Sequence, residues 1–106
     1  MINLYHVSNP IFRKKILREG LLPKVGDSYI AHYEEKNIGP VIFVSTQNDY
    51  DSTYDDDRYL ISLSDEEFKV LEFKIDNEVQ NGLYTRHPIA KEKLELVHSG
   101  TGKSLF

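Results

Sequence analysis

The chain opens on an alternation. In Ile2-Asn3-Leu4-Tyr5-His6-Val7, Ile2, Leu4 and His6 share one side and Asn3, Tyr5 and Val7 the other, which predicts a short strand. Ser8-Asn9-Pro10 then reads as a helix opening. Ser8 or Asn9 can cap it, and Pro10 suits a first turn in which its missing N–H is not needed. The helix continues through Glu19 with Phe12, Ile16 and Leu17 as its apolar stripe, and Gly20 ends it. Leu21 and Leu22 are expected to pack back, and Pro23 blocks a restart.

Further on the pattern is uneven. Ser28 to Lys36 fits a short helix carrying Tyr29, Ile30 and Tyr33, or an ordered loop. Val41 to Ser45 is nearly all apolar and predicts a strand buried on both faces. Asn48 to Arg58 is acidic and Tyr-rich, a short helix followed by a loop. Tyr59 to Ser62 reads as a brief strand, Ser64 to Glu67 as a turn, and Lys69 to Ile75 as a cleanly alternating strand. Asn81-Gly82 is a turn signal before a strand in Leu83 to Ile89. Ala90 to Lys93 makes a helical turn, and Leu94 to Val97 a last strand. The expectation is one α+β domain over residues 1–98 with a mostly antiparallel sheet arrangement, then a flexible tail over 99–106.

Composition narrows the function classes. A chain of 106 residues holds one domain. Thirteen Lys+Arg against seventeen Asp+Glu give a net charge of −4, which argues against a broad grip on phosphate backbones. The absence of cysteine excludes disulfides, a thiol nucleophile, iron–sulfur clusters and Cys-based zinc sites. No stretch reaches the roughly 18 apolar residues of a membrane span. The start, Met1 to His6, lacks a basic and then apolar run, so no signal peptide is expected and a cytoplasmic location is the default.

Three segments together resemble a known family. Leu4-Tyr5-His6-Val7-Ser8 followed by Ile16-Leu17-Arg18-Glu19-Gly20-Leu21-Leu22-Pro23 resembles the opening strand and helix of the ADP-ribosyltransferase fold. Val41 to Thr46 looks like its second core strand. Asn81 to Leu94 is similar to the closing segment of the tRNA 2′-phosphotransferases, which share that fold. The resemblance implies a minimal ADP-ribosyltransferase-like fold, in which two small antiparallel sheets flank a cleft, with NAD as substrate and a protein or nucleic acid as acceptor.

Such enzymes break the bond between nicotinamide and ribose through an oxocarbenium-like ribosyl cation, the same physical problem as glycoside hydrolysis. By resemblance, His6 would hydrogen-bond a ribose and the backbone of Val7 would clasp the nicotinamide amide, although many relatives have glycine there. Ser45 and Thr46 match hydroxyl positions that order the ribose or a carboxylate. Tyr50, Tyr54 and Tyr59 fall where relatives carry a tyrosine that stacks on nicotinamide, and Tyr54 is preferred on spacing. The usual catalytic glutamate would fall near Gly82 to Tyr84, where nothing is acidic. Glu78 is the nearest substitute and Asp76 the second choice. Each position also has a plainer role: His6 bonded to a backbone carbonyl, Ser45 and Thr46 capping a strand end, Tyr54 as amphipathic core.

Other signals lead elsewhere or nowhere. RNA 2′-phosphate removal is disfavoured, because its second histidine would fall near Ile42 or Phe43 and Val7 stands at its glycine. Asp49, Asp51, Asp55, Asp56 and Asp57 do not fit an EF-hand, whose sixth and twelfth positions would be Tyr54 and Leu60. Gly100 to Ser104 imitates a phosphate loop but lacks the first glycine, which would be Val97. His87 and His98 lack acidic company at metal spacing, and no metal site is proposed. Arg13, Lys14, Lys15 and Arg18 form a basic helix face that is the one patch suited to nucleic acid. The alternative to catalysis is a degenerate fold acting as a binding or inhibitory module. It would meet a basic partner through the five aspartates, as suits a small phage or mobile-element protein.

Overall fold

A computed structural model describes residues 1–24, 39–48, 53–77 and 79–106. Its elements are β1 (Ile2–Ser8), α1 (Arg13–Glu19), β2 (Ile42–Ser45), β3 (Asp57–Leu63), α2 (Asp65–Val70), β4 (Lys74–Ile75), β5 (Gly82–Thr85) and β6 (Leu94–His98). The strands form one antiparallel sheet in the order β4-β5-β2-β1-β3-β6, so the first strand lies inside the sheet. The protein is α+β, as the order of elements implied.

The entry to α1 follows its residues. The Asn9 side chain accepts from the Ile11 N–H at 3.0 Å, and Pro10–Phe12 form a 3₁₀ turn that leads into the α-helix. Gly20 ends the helix at φ 82°, and its N–H donates to Ile16 O. A side chain at Gly20 would collide with the Ile89 carbonyl, so glycine is needed here for close approach as well as for its φ. That approach lets Leu21 and Ile89 exchange backbone hydrogen bonds at 2.9 Å in both directions. The bridge ties the end of the helix to the segment before β6.

The core lies between this helix and one face of the sheet. Leu4, Ile16, Leu21, Ile42, Val44, Tyr59, Ile61, Leu63 and Ile89 are all buried in one cluster. Each buried Leu or Ile contributes roughly 1.5–3 kcal/mol. Ile61 is wholly buried on the strand beside β1, and its truncation to alanine costs about 2–5 kcal/mol.

Several expectations are corrected. The two sheets expected to flank a cleft are one sheet among the described residues, because β1 pairs with β2 on one edge and β3 on the other. The alternation from Lys69 to Ile75 does not make one strand. Ser64 caps α2 in a reciprocal box, its Oγ accepting from the Glu67 N–H at 3.1 Å while Glu67 accepts from the Ser64 N–H at 2.8 Å. That box outweighs the strand pattern and carries the helix to Val70. Lys93 adds an ion pair to Glu67 and, as the first cause, holds its carboxyl at about 2. Leu17 and Leu22 stay about half exposed, so Ile16 and Leu21 supply the buried contacts.

The closing segment does not project free as the sequence suggested. Gly102 N–H donates to Asp55 O, Asp55 N–H to Lys103 O and Leu105 N–H to Thr53 O, each at 2.8 Å. Residues 99–106 thus run on from β6 as a strap along the chain leading into β3. The segment from Ser28 to Lys36 lies outside the described residues. Among those described, no helix is long and apolar enough to cross a membrane.

Candidate functional site

Pairing across β1 and β3 divides the helix-covered face into two halves. Ile2↔Leu63 and Leu4↔Ile61 make a hydrocarbon end; His6↔Tyr59 and Ser8↔Asp57 make a polar end. Buried polar side chains are the informative exceptions in a core, and two of them, Ser8 and Asp57, lie at this end. Arg13 reaches down from that turn to Asp57, with Nε to Oδ2 at 2.8 Å and Nη2 to Oδ1 at 2.6 Å. The Gly100 N–H also donates to Asp57 Oδ1, at 2.7 Å. Burial pushes the Asp57 carboxyl up, but Arg13 and the Gly100 amide outweigh it and hold the group below its ordinary value.

His6 sits at the seam between β1 and β2. The register of these strands holds a single pair, Tyr5↔Ser45, against seven between β1 and β3. Across that seam His6 Nδ1 lies 2.7 Å from the Phe43 carbonyl. A carbonyl only accepts, so Nδ1 carries the proton. Burial pushes the imidazole pKa down to about 4; the bond to Phe43 opposes this, and the charge of Lys24 adds to it. The ring is therefore neutral at pH 7, and Nε2 is a bare acceptor. His6 is half-buried, so this acceptor is set in the wall of the fold rather than on an open surface.

The other sequence-derived positions divide between two places. Ser45 pairs with Gly82, and the Thr46 N–H donates to Asn81 O at 3.0 Å, so both hydroxyl residues adjoin the 76–82 turn. Ser45 Oγ accepts from the Gln47 N–H at 3.1 Å, the capping role that a strand-end serine often plays. Glu78 lies outside the described residues. Asp76 is buried, and its Oδ2 stands 3.2 Å from where a Cβ on Gly82 would be. A carboxylate thus fills space that a side chain at position 82 would take. Val7 pairs with Arg58, and strand alternation puts its side chain on the face away from His6.

Tyr54 is not brought to this place. It is 54% exposed, bridges Ser104 through its backbone, and lies beyond the Ser8 end of β1. Tyr50, Asp49 and Asp51 lie outside the described residues. Two described aspartates of the acidic run serve internal contacts: Asp57 is sequestered by Arg13, and Asp55 accepts from His98 Nε2 at 2.7 Å and from the Thr101 N–H at 3.0 Å. The His98 contact leads the causes that hold Asp55 below its ordinary value. Sequence reading missed Arg13 and Asp57 as partners. The signal was present, because Asp57, Tyr59, Ile61 and Leu63 continue one period-2 face and place a carboxylate in line with the core.

A hollow of about 330 Å³ lies at the other end of the sheet, where Leu63, Val70, Leu71, Pro88 and Ile89 line it below α2. None of the residues chosen from the sequence borders it. Compared with family models, curated proteins and solved structures, the chain matches none.

Proposed function

We propose that the chain binds NAD at the β1–β2 seam and transfers its ADP-ribosyl group to a macromolecule. The observation that supports this reading most is the state of His6. Its Nδ1–H is committed to Phe43 O, so Nε2 accepts a hydrogen bond and offers none. A ribose hydroxyl is a donor of the required kind. The opening-strand resemblance places the same imidazole against a ribose.

In the reaction the C–N bond to nicotinamide breaks, and nicotinamide leaves with the bonding pair. An acceptor oxygen or nitrogen then forms the new bond to the ribosyl carbon and gives up its proton. The cation between these events needs a nearby negative charge. Glu78 is the carboxylate this reading uses, because Ser45 pairs with both Tyr5 and Gly82, which puts Ser45 and the Asp76 carboxylate over Gly82 on the face of the sheet away from His6. The module reading, with an acidic surface docking a basic partner, has less support because Asp55 and Asp57 serve the fold's own contacts.

The test is release of nicotinamide. Incubation with NAD should liberate it. His6→Ala should abolish release, and Asp76→Asn or Glu78→Gln, made singly, should show which carboxylate is used. Wild-type protein that releases no nicotinamide with any acceptor offered would defeat the transferase reading.

A further inference from the structure

Tyr59 holds a buried polar atom that the fold leaves without a hydrogen-bond partner. Its side chain is fully buried, and its hydroxyl has no hydrogen-bond partner among the described residues. Burial, with the Asp57 charge beside it, pushes the phenol up to about 12, so the group stays protonated and remains a donor. An unsatisfied buried hydroxyl costs stability that phenylalanine in the same shape would not. Few such groups occur in a folded domain, and each calls for an explanation.

The charges acting on that hydroxyl are those of Asp57 and Arg13, and His6 is the polar side chain that faces Tyr59 across the strand pair. Tyr59 is paired directly with His6 on the helix-covered face of the sheet. Their ring centroids are 6.4 Å apart and tilted by 42°, which is not a stacking contact. An atom bonded to both polar edges would span two hydrogen bonds of roughly 2.8 Å each. The pair has opposite and complementary needs: Tyr59 has a hydrogen to give, and His6 Nε2 has a lone pair to fill. One chemical group has the donor and the acceptor to answer both needs. A hydroxyl donates its own hydrogen to Nε2 and accepts from the tyrosine.

We propose that Tyr59 and His6 form a hydroxyl-recognition pair, and that the Tyr59 O–H gains its partner when a ribose hydroxyl enters the β1–β2 seam. This rests on the seam being a ligand site, and it adds a residue that the family resemblance assigned no hydrogen bond. Among the described residues the seam has one register pair, Tyr5↔Ser45, beside the His6–Phe43 bond, so widening it there is the route by which a ligand reaches the tyrosine hydroxyl.

The test uses Tyr59→Phe, which removes one oxygen and keeps the ring. Wild type and variant are titrated calorimetrically with NAD, ADP-ribose and ribose 5-phosphate, and melted without ligand. The expected result is binding weakened by about tenfold in Tyr59→Phe, with a melting temperature equal to or above that of wild type. Equal affinities, or a variant that melts well below wild type, overturn the proposal; the first makes the hydroxyl idle and the second gives it an internal partner. Sensitivity to His6→Ala without sensitivity to Tyr59→Phe sinks this inference and leaves the NAD reading standing. Binding of ribose 5-phosphate but not NAD, weakened in Tyr59→Phe, does the reverse. No binding of any of the three by wild type defeats both.

Discussion

Arg13 and Asp57, 44 residues apart in the chain, meet as a guanidinium fork on a carboxylate that is fully buried. The same guanidinium donates to the Gly100 carbonyl at 2.8 Å, while the Gly100 amide donates back to Asp57. Helix, central sheet and closing strap are therefore joined at one ion pair. Breaking a buried pair from one side strands a charge, which is costlier than never having had the pair. Arg13→Ala is expected to lower stability, because it strands the buried Asp57 carboxylate, with the loss moderated by the third of the Arg13 side chain that is in water. Urea denaturation checks this. The double variant Arg13→Met with Asp57→Leu should recover most of the loss, and single variants that cost nothing would remove the pair from the account.

Gly100 is expected to tolerate no side chain. A Cβ there would collide with the carbonyl of Asp55 and the backbone of Asp56. Gly100→Ala should therefore lift the strap, with hydrogen-exchange protection lost at Asp55, Gly102 and Leu105, whose amides make the strap's backbone bonds. Protection unchanged at those three amides would show that the strap contributes little.

Stability should fall as pH is lowered from 6.5 to 4. Folding holds His6 neutral, with its pKa reduced from 6.5 to about 4, so across that window the unfolded chain binds a proton that the folded chain refuses. The loss is on the order of 3 kcal/mol as an upper limit. Asp55, Asp57 and Glu67 have depressed values, so their contributions start to fade as pH falls through the ordinary carboxylate range, at the low end of this window, and are lost below it. Urea midpoints measured between these pH values should show the slope in wild type and a flatter line in His6→Gln. An equal slope in both would assign it to another group.

Glu72 follows the last turn of α2 at φ +52°, a left-handed position that favours glycine. Glu72→Gly should raise stability by about 1 kcal/mol. Its 3.4 Å contact with His87 is between exposed groups and little is lost with it. A lower melting temperature in the variant would contradict this.

The parts of the fold legible in the sequence were those with a local cause. Asn9-Pro10 and Gly20 bracket the first helix because capping and backbone freedom act within a few residues. Asn81-Gly82 marked a real turn for the same reason, Asn81 taking φ 63°. The α2 error came from weighing alternation above a local capping box, although Ser64 and Glu67 were both in view. The strap was illegible because small polar residues look unstructured until Asp55 and Asp57, far away in the chain, supply their hydrogen bonds.

The candidate site divides in the same way. His6 was singled out by the resemblance of the opening strand, and its bond to Phe43 was within the plainer role considered for it. The proximity of Asp76 to Gly82 was not readable, since it depends on how the β4–β5 turn folds back over β5. Tyr54 was chosen on spacing, which says nothing about direction. Of the two described tyrosines among the three considered, Tyr59 faces His6.

The central claim is that a neutral imidazole with a bare Nε2 receives a ribose hydroxyl of NAD. Nitrogen NMR of histidine-labelled protein at pH 7, recorded while NAD is added, reads that atom directly. The account predicts a protonated Nδ1 and an unprotonated Nε2 for His6 before addition, then a saturable shift of Nε2 that follows NAD occupancy. An Nε2 that is already protonated, or one that stays unmoved at saturating NAD, would contradict it.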